Sequence, residues 1–294
     1  MSGPGIVSSD PSLPAGGNSS KILGPLRADG VRGVLVACLS TVVVLGLGAL
    51  LITRSPHWPD VKQAFFSGAE FKRSFPGILR AFRRNIELFL VAEPFILALA
   101  LVLAVMRSLS GPVFFPIRLL AMLYVDFFRG VPTILVVYLL GFGVPSLQIP
   151  GVPSSGVFWG MVGLILSYSA YVAEVYRAGI ESVHPSQMAA ARSLGLGRVQ
   201  TLRSVVVPQA VRRVIPPLMN DFISLQKDTA LIAFVGATFA EAFLKGQIYA
   251  AGDFNFTPIV GVALCFLVIT VPMTRTTDWL LERQRRRRQA GGAL

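Results

Sequence analysis

Seven ionisable side chains lie inside otherwise apolar stretches of this chain: Glu93, Asp126, Arg129, Glu174, Asp221, Lys227 and Asp228. A charge placed in hydrocarbon costs about 2.5–3.5 kcal/mol on insertion scales, so such groups face a polar cavity or one another. The chemistry they can do is ionic: to hold a charged solute along a path, with the hydroxyl of Thr229 next to Asp228. No catalytic residue is expected, because His57 and His184 have no nucleophile or second ligand at a usable spacing. Cys38 and Cys265 each sit within an apolar run, which encodes neither a disulfide nor a metal site and reads as a small buried hydrophobe in each case. All five lysines (Lys21, Lys62, Lys72, Lys227, Lys245) lack the flanking glycine and Ser/Thr of a phosphate-binding loop. The expectation is that the chain carries no cofactor and draws any energy it uses from elsewhere.

Composition sets the medium in which those residues act. Of 294 residues, 53% are hydrophobic and only 14% charged, which belongs to an all-α integral membrane protein and not to a water-soluble enzyme. The formal charge of +12 raises nucleic acid as a partner. Against that, the densest basic cluster, Arg283 with Arg285 to Arg288, directly follows an apolar segment, where the positive-inside rule places cytoplasmic anchors. No nucleic-acid partner is expected.

The apolar runs then give an order of elements. Residues 1–30, rich in Gly, Ser and Pro, cannot bury enough surface to offset the entropy of ordering, and are expected to be a disordered cytoplasmic tail. Within residues 31–53, residues 33–52 are uncharged for 20 residues, the length of a membrane span. Residues 54–85 are broken by Pro56, Pro59 and Pro76 and lined with phenylalanines, which fits an external, interfacial segment. Its Lys62, Lys72, Arg73, Arg80, Arg83 and Arg84 would then lie outside, against the usual charge bias. Further spans are expected at residues 86–106, 117–140, 157–176, 214–240 and 256–281, with a basic cytoplasmic tail at 282–294. Six crossings put both termini inside.

Between the fourth and fifth spans, residues 177–208 are charged and contain local helix punctuation. Pro185 suits a first helical turn, residues 187–194 are helix formers, and Gly195 suits a C-terminal cap. A short cytoplasmic helix bearing Ser186, Ala189, Ala190, Ala191 and Arg192, ending at Leu194 and turning at Gly195, is predicted, with Pro208 where the chain re-enters apolar sequence.

The spacing of Ala190-Ala191, Gly195, Val205, Val207 and Pro208 resembles the EAA…G…I-LP loop of ABC importer permeases. The flanking residues 170–180 (AYVAEVYRAGI), Arg129-Gly130-Val131-Pro132 and Lys227-Asp228-Thr229 look like the polar amino acid branch (the histidine, glutamine and glutamate type). The resemblance covers roughly residue 85 to the C-terminus, and departs from the family pattern at Ala189, where the family has Glu, and Val131, where it has Thr. It implies a type I importer core of five transmembrane helices, to which residues 31–53 add one. It further implies that residues 177–208 dock on ABC ATPase subunits, that a second permease subunit, the same or homologous, completes the pathway, and that an extracytoplasmic solute-binding protein delivers a polar amino acid. ATP would be bound by the partner ATPase, and the chain would lie in the plasma membrane of a bacterium.

Within that frame the ionisable residues have open alternatives. Lys227-Asp228-Thr229 could break the fifth span, with Asp228 or Thr229 capping a second half-helix whose amides and Lys227 face a substrate carboxylate; or Lys227 could pair with a buried acid. Arg129 is read as a structural pair for Asp126 or Glu174 ahead of a direct ligand, and Glu93, preceding Pro94, as a polar kink lining the same cavity. The competing class is a secondary transporter or channel without an ATPase, for which an inverted repeat would be expected; the two halves of the sequence have none.

Overall fold

The computed structural model describes residues 26–109, 111–235, 242–253 and 255–291, and those residues are helical throughout with short connections. Two units result, residues 1–61 and 62–294. In the first, α1 (Leu26–Thr53) is apolar on every side, which suits lipid all round. It starts ahead of the expected span; residues 1–25, where the tail is expected, lie outside the described residues. Cys38 on α1 is exposed, in contrast to the buried position expected, whereas Cys265 is buried.

After α2 (Trp58–Phe65) comes α3 (Gly68–Ser108), one helix of 41 residues. Ser67 caps it, its hydroxyl accepting from the Glu70 amide at 3.4 Å. Pro76 was expected to break this region, and it lies inside the helix instead. The reason is tertiary: one turn on, Ile78 and Phe82 are buried with Val262 and Cys265 of α11 (Thr257–Gly291), and Phe82 meets the Phe266 ring edge-on at 5.0 Å.

The span expected at residues 117–140 is two helices, α4 (Phe115–Gly130) and α5 (Thr133–Ser146), bent by 100°. Pro132 forces Val131 into an extended conformation (φ −92°, ψ 129°) and then serves as the N-cap of α5. Next, α6 (Gly156–Glu181) forms the axis of the unit, with Leu164, Ala170 and Val172 buried against Ile96 of α3 and Val137 of α5. Small residues permit that closeness. A Cβ on Gly156 would lie 2.1 Å from the Val235 carbonyl oxygen, and one on Gly179 2.1 Å from Val214 Cγ2. Gly179→Leu should therefore destabilise the chain by about 2 kcal/mol through overpacking, read as thermal unfolding in detergent; a change below about 0.5 kcal/mol would show that α9 can move aside.

Beyond α6 lie α7 (Pro185–Ser193), α8 (Arg198–Thr201), a π-turn (Leu202–Val206), α9 (Val207–Asp228), a 3-10 segment (Thr229–Phe234) and α10 (Ala242–Asp253). Among the described residues, four helices are long and apolar enough to cross a membrane, and the bent pair makes a fifth if taken as one span. Six such spans were expected. The one expected at 214–240 falls on α9, which carries Arg212, Arg213, Asp221, Lys227 and Asp228 on a strongly amphipathic helix, on the 3-10 segment, and on residues 236–241, which lie outside the described residues. The last candidate span is Thr257–Arg283, and α11 itself runs on beyond it to Gly291.

Candidate functional site

Two sites are built on α6, one at its C-terminal end and one midway along it. At the end, α7 starts as its local chemistry dictates. His184 is the N-cap, its Nδ1 accepting from the Ser186 amide at 3.2 Å, and Pro185 fills the first turn, where no amide hydrogen is required. The helix stops in a Schellman motif: the Gly195 amide donates to the Arg192 carbonyl at 2.9 Å and the Leu196 amide to the Ala191 carbonyl at 3.2 Å. Gly195 has φ +83° with open space around it, so backbone conformation and not crowding demands glycine there.

The outward surface of α7 is small and apolar. Ala189 and Ala190 are exposed, with Ser186 and Arg192, while Ala191 is 5% exposed and turns inward. Three consecutive residues at 100° per residue cannot share one face, so the run Ala189 to Ala191 is divided between outside and inside. Leu194 is 83% exposed and Val199 76%, and Met188 and Leu202 are exposed as well. Val199 and Met188 were missed from sequence; the available signal was large apolar residues within a charged, water-facing segment.

This small helix is tied to α9, and α9 to the end of α6. The Gln209 amide of α9 donates to Gln187 Oε1, and Arg213 Nη1 donates to the Ser182 carbonyl at the end of α6. Val183, Val206 and Ala210 pack together beneath it. Pro208 stands in the first turn of α9, directly after the π-turn. Its ring cannot accept the ordinary helical approach to the carbonyl four residues back, and the widened turn, with the Val207 amide on the Leu202 carbonyl, absorbs the misfit. Beyond the turn at Gly195, the chain thus passes from α8 into α9 along a continuous helical path.

Just above, Glu174 of α6 gathers three arginines. Arg107 Nη1 at the end of α3 donates to Oε2 at 2.8 Å, Arg177 grips the carboxylate through Nε and Nη2, and Arg129 Nη1 lies 3.8 Å away. Arg177 also pairs with Glu181. Of the two acids offered for Arg129, Glu174 is the one within reach, and Asp126 is exposed on α4 away from it.

The second site lies about 10 Å along α6, where Ser167 and Tyr168 face α3 and α9. The Tyr168 hydroxyl donates to Asp228 Oδ2 at 2.8 Å, and Thr229, fully buried, accepts from Asn85 Nδ2 at 3.3 Å while donating to the Gln226 carbonyl at 2.7 Å. Among the described residues, four buried polar atoms have no protein partner: Glu93 Oε1, Ser167 Oγ, Asp221 Oδ2 and Gln226 Nε2. Each such atom costs about 1–3 kcal/mol unless something polar meets it. Glu93 and Asp221 also lie within electrostatic reach of one another.

The expected cap at the Lys227-Asp228-Thr229 break does not form. Asp228 stays helical (φ −73°, ψ −11°), makes no side-chain cap and turns its carboxylate to Tyr168; the helix tightens to 3-10 geometry with no exposed amides at a new N-terminus. Lys227 is exposed and pairs with no acid among the described residues, so the buried-pair alternative is not realised there either.

Comparison with known proteins accords with this architecture. The family described as "Binding-protein-dependent transport system inner membrane component" matches residues 96–286. The probable amino-acid permease protein YxeN of Bacillus subtilis is 33% identical over 67% of this chain and 87% of its own length. The glutamate transport system permease protein GluC of Corynebacterium glutamicum is 35% identical over 71% of this chain and 94% of its own. Among solved structures, an amino acid ABC transporter crystallised with histidines superposes with a TM-score of 0.64 at 28% identity, covering 74% of this chain and 98% of that one. The MetNI methionine ABC transporter, inward facing, gives a TM-score of 0.56 at 17% identity over 70% and 95%, a likeness of fold. This chain is a multi-pass membrane protein with the type I ABC importer permease fold, and it belongs to the family of binding-protein-dependent transport system inner membrane components.

Proposed function

We propose that the chain is the transmembrane permease subunit of an ATP-driven importer of a polar amino acid, working by alternating access in the plasma membrane of a bacterium. The observation that carries this is α7: a short, exposed helix with an apolar tip at Leu194, hydrogen-bonded to α9, which is itself hydrogen-bonded to the end of α6. Force applied there by a separate ATPase reaches both helices that line the midway site. The ATPase-coupling surface is Ser186, Ala189, Ala190, Arg192, Leu194 and Gly195, with Ala191 and Pro208 setting its backbone. That surface faces the cytoplasm in this reading, with both termini inside, and an extracytoplasmic solute-binding protein delivers substrate at the opposite end. A second permease subunit, the same or homologous, completes the pathway, and exposed Asp126 and Lys227 are the polar side chains best placed to meet it or the solute.

The names of the relatives support an amino acid as substrate, and the midway site suits one chemically. Glu93 and Asp221 offer carboxylate oxygens without protein partners, which a solute ammonium would satisfy; Asp228 and Thr229 stand beside them already engaged. Arg129 and Glu174 hold the base of the pathway closed as an ion cluster. No cofactor is required in the permease itself, since ATP is bound by the partner.

Reconstitution of the permease with its ATPase and binding protein tests this. Uptake should need ATP hydrolysis, and Asp221→Asn or Glu93→Gln should raise the substrate KM about tenfold or more while ATPase association persists. Uptake that continues without nucleotide would instead point to a secondary transporter or channel.

A further inference from the structure

The four unpartnered atoms of the midway site differ in charge, and that difference discriminates among polar amino acids. Glu93 Oε1 and Asp221 Oδ2 belong to carboxylates, whereas Ser167 Oγ and Gln226 Nε2 belong to neutral groups that can donate. They come from three helices at one level. Ala92 of α3, Tyr168 of α6 and Leu225 of α9 pack in one buried cluster, and Glu93, Ser167 and Gln226 are their neighbours in the chain. Asp221 lies one turn before Leu225, within electrostatic reach of Glu93 and of the Tyr168 hydroxyl.

The two acids lack a counter-charge. Neither makes an ion pair among the described residues, and the charge that acts on Glu93 is that of Asp221, a second acid. Residues 85–106, 157–176, 214–226 and 257–274, which supply the site and the part of α11 behind it, contain no Lys or Arg. Lys227 is exposed, and the acid within its reach is Asp228, which already accepts from the Tyr168 hydroxyl.

The neutral donors are more deeply placed. Ser167 is fully buried and Gln226 is 2% exposed. Gln226 Oε1 accepts from the Thr270 hydroxyl of α11 at 3.3 Å, which fixes the amide and leaves Nε2 directed away from that hydroxyl.

Among free amino acids, one charge type complements this set. The α-carboxylate suits the two neutral donors and the α-ammonium suits one acid, which leaves the other acid for the side chain. A side-chain carboxylate would be repelled there. A side-chain amide would donate to the acid without neutralising it, and a side-chain cation would do both.

We propose that this site selects a cationic amino acid, of the lysine or arginine kind, with Glu93 and Asp221 taking its two cationic groups and Ser167 and Gln226 its carboxylate. The inference rests on the midway site being where substrate binds, and it narrows that substrate from polar to dibasic.

Equilibrium dialysis of radiolabelled L-lysine, L-glutamine, L-glutamate and L-norleucine against the detergent-purified complex of permease and ATPase, without nucleotide or binding protein, tests this. Norleucine is lysine without its side-chain ammonium. Lysine should bind about tenfold or more tightly than glutamine or norleucine, and about a hundredfold or more tightly than glutamate. Asp221→Asn and Glu93→Gln each remove one charge at nearly constant shape. Each should cut the preference for lysine over glutamine to about threefold or less, while glutamine affinity stays within about threefold of wild type. An equal loss for both ligands would make these acids structural and overturns the proposal. So does a lysine preference that survives in both variants, glutamine or glutamate binding as tightly as lysine to the wild type, or no lysine bound at about 10 mM. Lysine selectivity without ATP-dependent uptake would sink the importer reading and keep this one; ATP-dependent uptake without lysine selectivity in the permease would do the reverse.

Discussion

A chain carrying Leu194→Asp should lose its ATPase partner while remaining as stable as the wild type. Leu194 is 83% exposed at the end of α7, and the fold gains nothing from it, so its replacement should change the unfolding free energy by less than about 0.5 kcal/mol. A large apolar side chain held in water, with Val199 of the same loop 76% exposed, is instead what a protein interface buries. Placing a carboxylate at the centre of such a contact costs about 2 kcal/mol or more, a loss of about thirtyfold in affinity, and ATP-driven uptake should fall to background. Gly195→Val serves as the contrasting variant. Its φ of +83° strains a β-branched residue, and with the Schellman turn distorted both docking and local order should suffer. Pull-down of the ATPase with each variant, alongside thermal unfolding, separates the two. Undiminished pull-down with Leu194→Asp would mean that α7 is an ordinary connector.

The same helix explains what could be read ahead of the structure. Pro185 and Gly195 act within a turn of themselves, through a missing amide and a positive φ, so the limits of α7 were legible residue by residue. The bend at Pro132 is local for the same reason, although its 100° is set by the packing of α5 on α6. Where the partner is distant in sequence, local rules mislead. Pro76 reads as a breaker because nothing nearby announces Val262 and Phe266, and Asp228 reads as a cap because nothing nearby announces Tyr168. Glu93 and Asp221 could be chosen by type, as charges in apolar sequence. That α3 and α9 bring them together without partners is a property of the packing alone. The fold class was legible from composition; the number of crossings was not, since α9 spends its hydrophobicity on one face.

Glu174→Gln should be the most destabilising single change at the arginine cluster. The carboxylate is 22% exposed, and it takes Arg107 at 2.8 Å and the Nε and Nη2 edge of the Arg177 guanidinium, with Arg129 at 3.8 Å. Arg177 keeps Glu181 when Glu174 is lost, and Arg129, 43% exposed, reaches solvent. Arg107, only 15% exposed, is left without an acid, and that stranded charge sets the cost. Stripping a partner from a buried pair costs about 3–5 kcal/mol, and the partial exposure here argues for the low end, about 3 kcal/mol. Arg129→Gln should cost under about 1 kcal/mol, as expected of a long, exposed pair. Arg107→Met combined with Glu174→Met should recover much of the loss, because an apolar replacement removes the stranded charge together with its partner. Thermal unfolding of the purified complex reads all three. Were Glu174→Gln to cost less than about 0.5 kcal/mol, α3, α4 and α6 would be held at this end by their apolar packing, and the cluster would be free to open as the pathway moves.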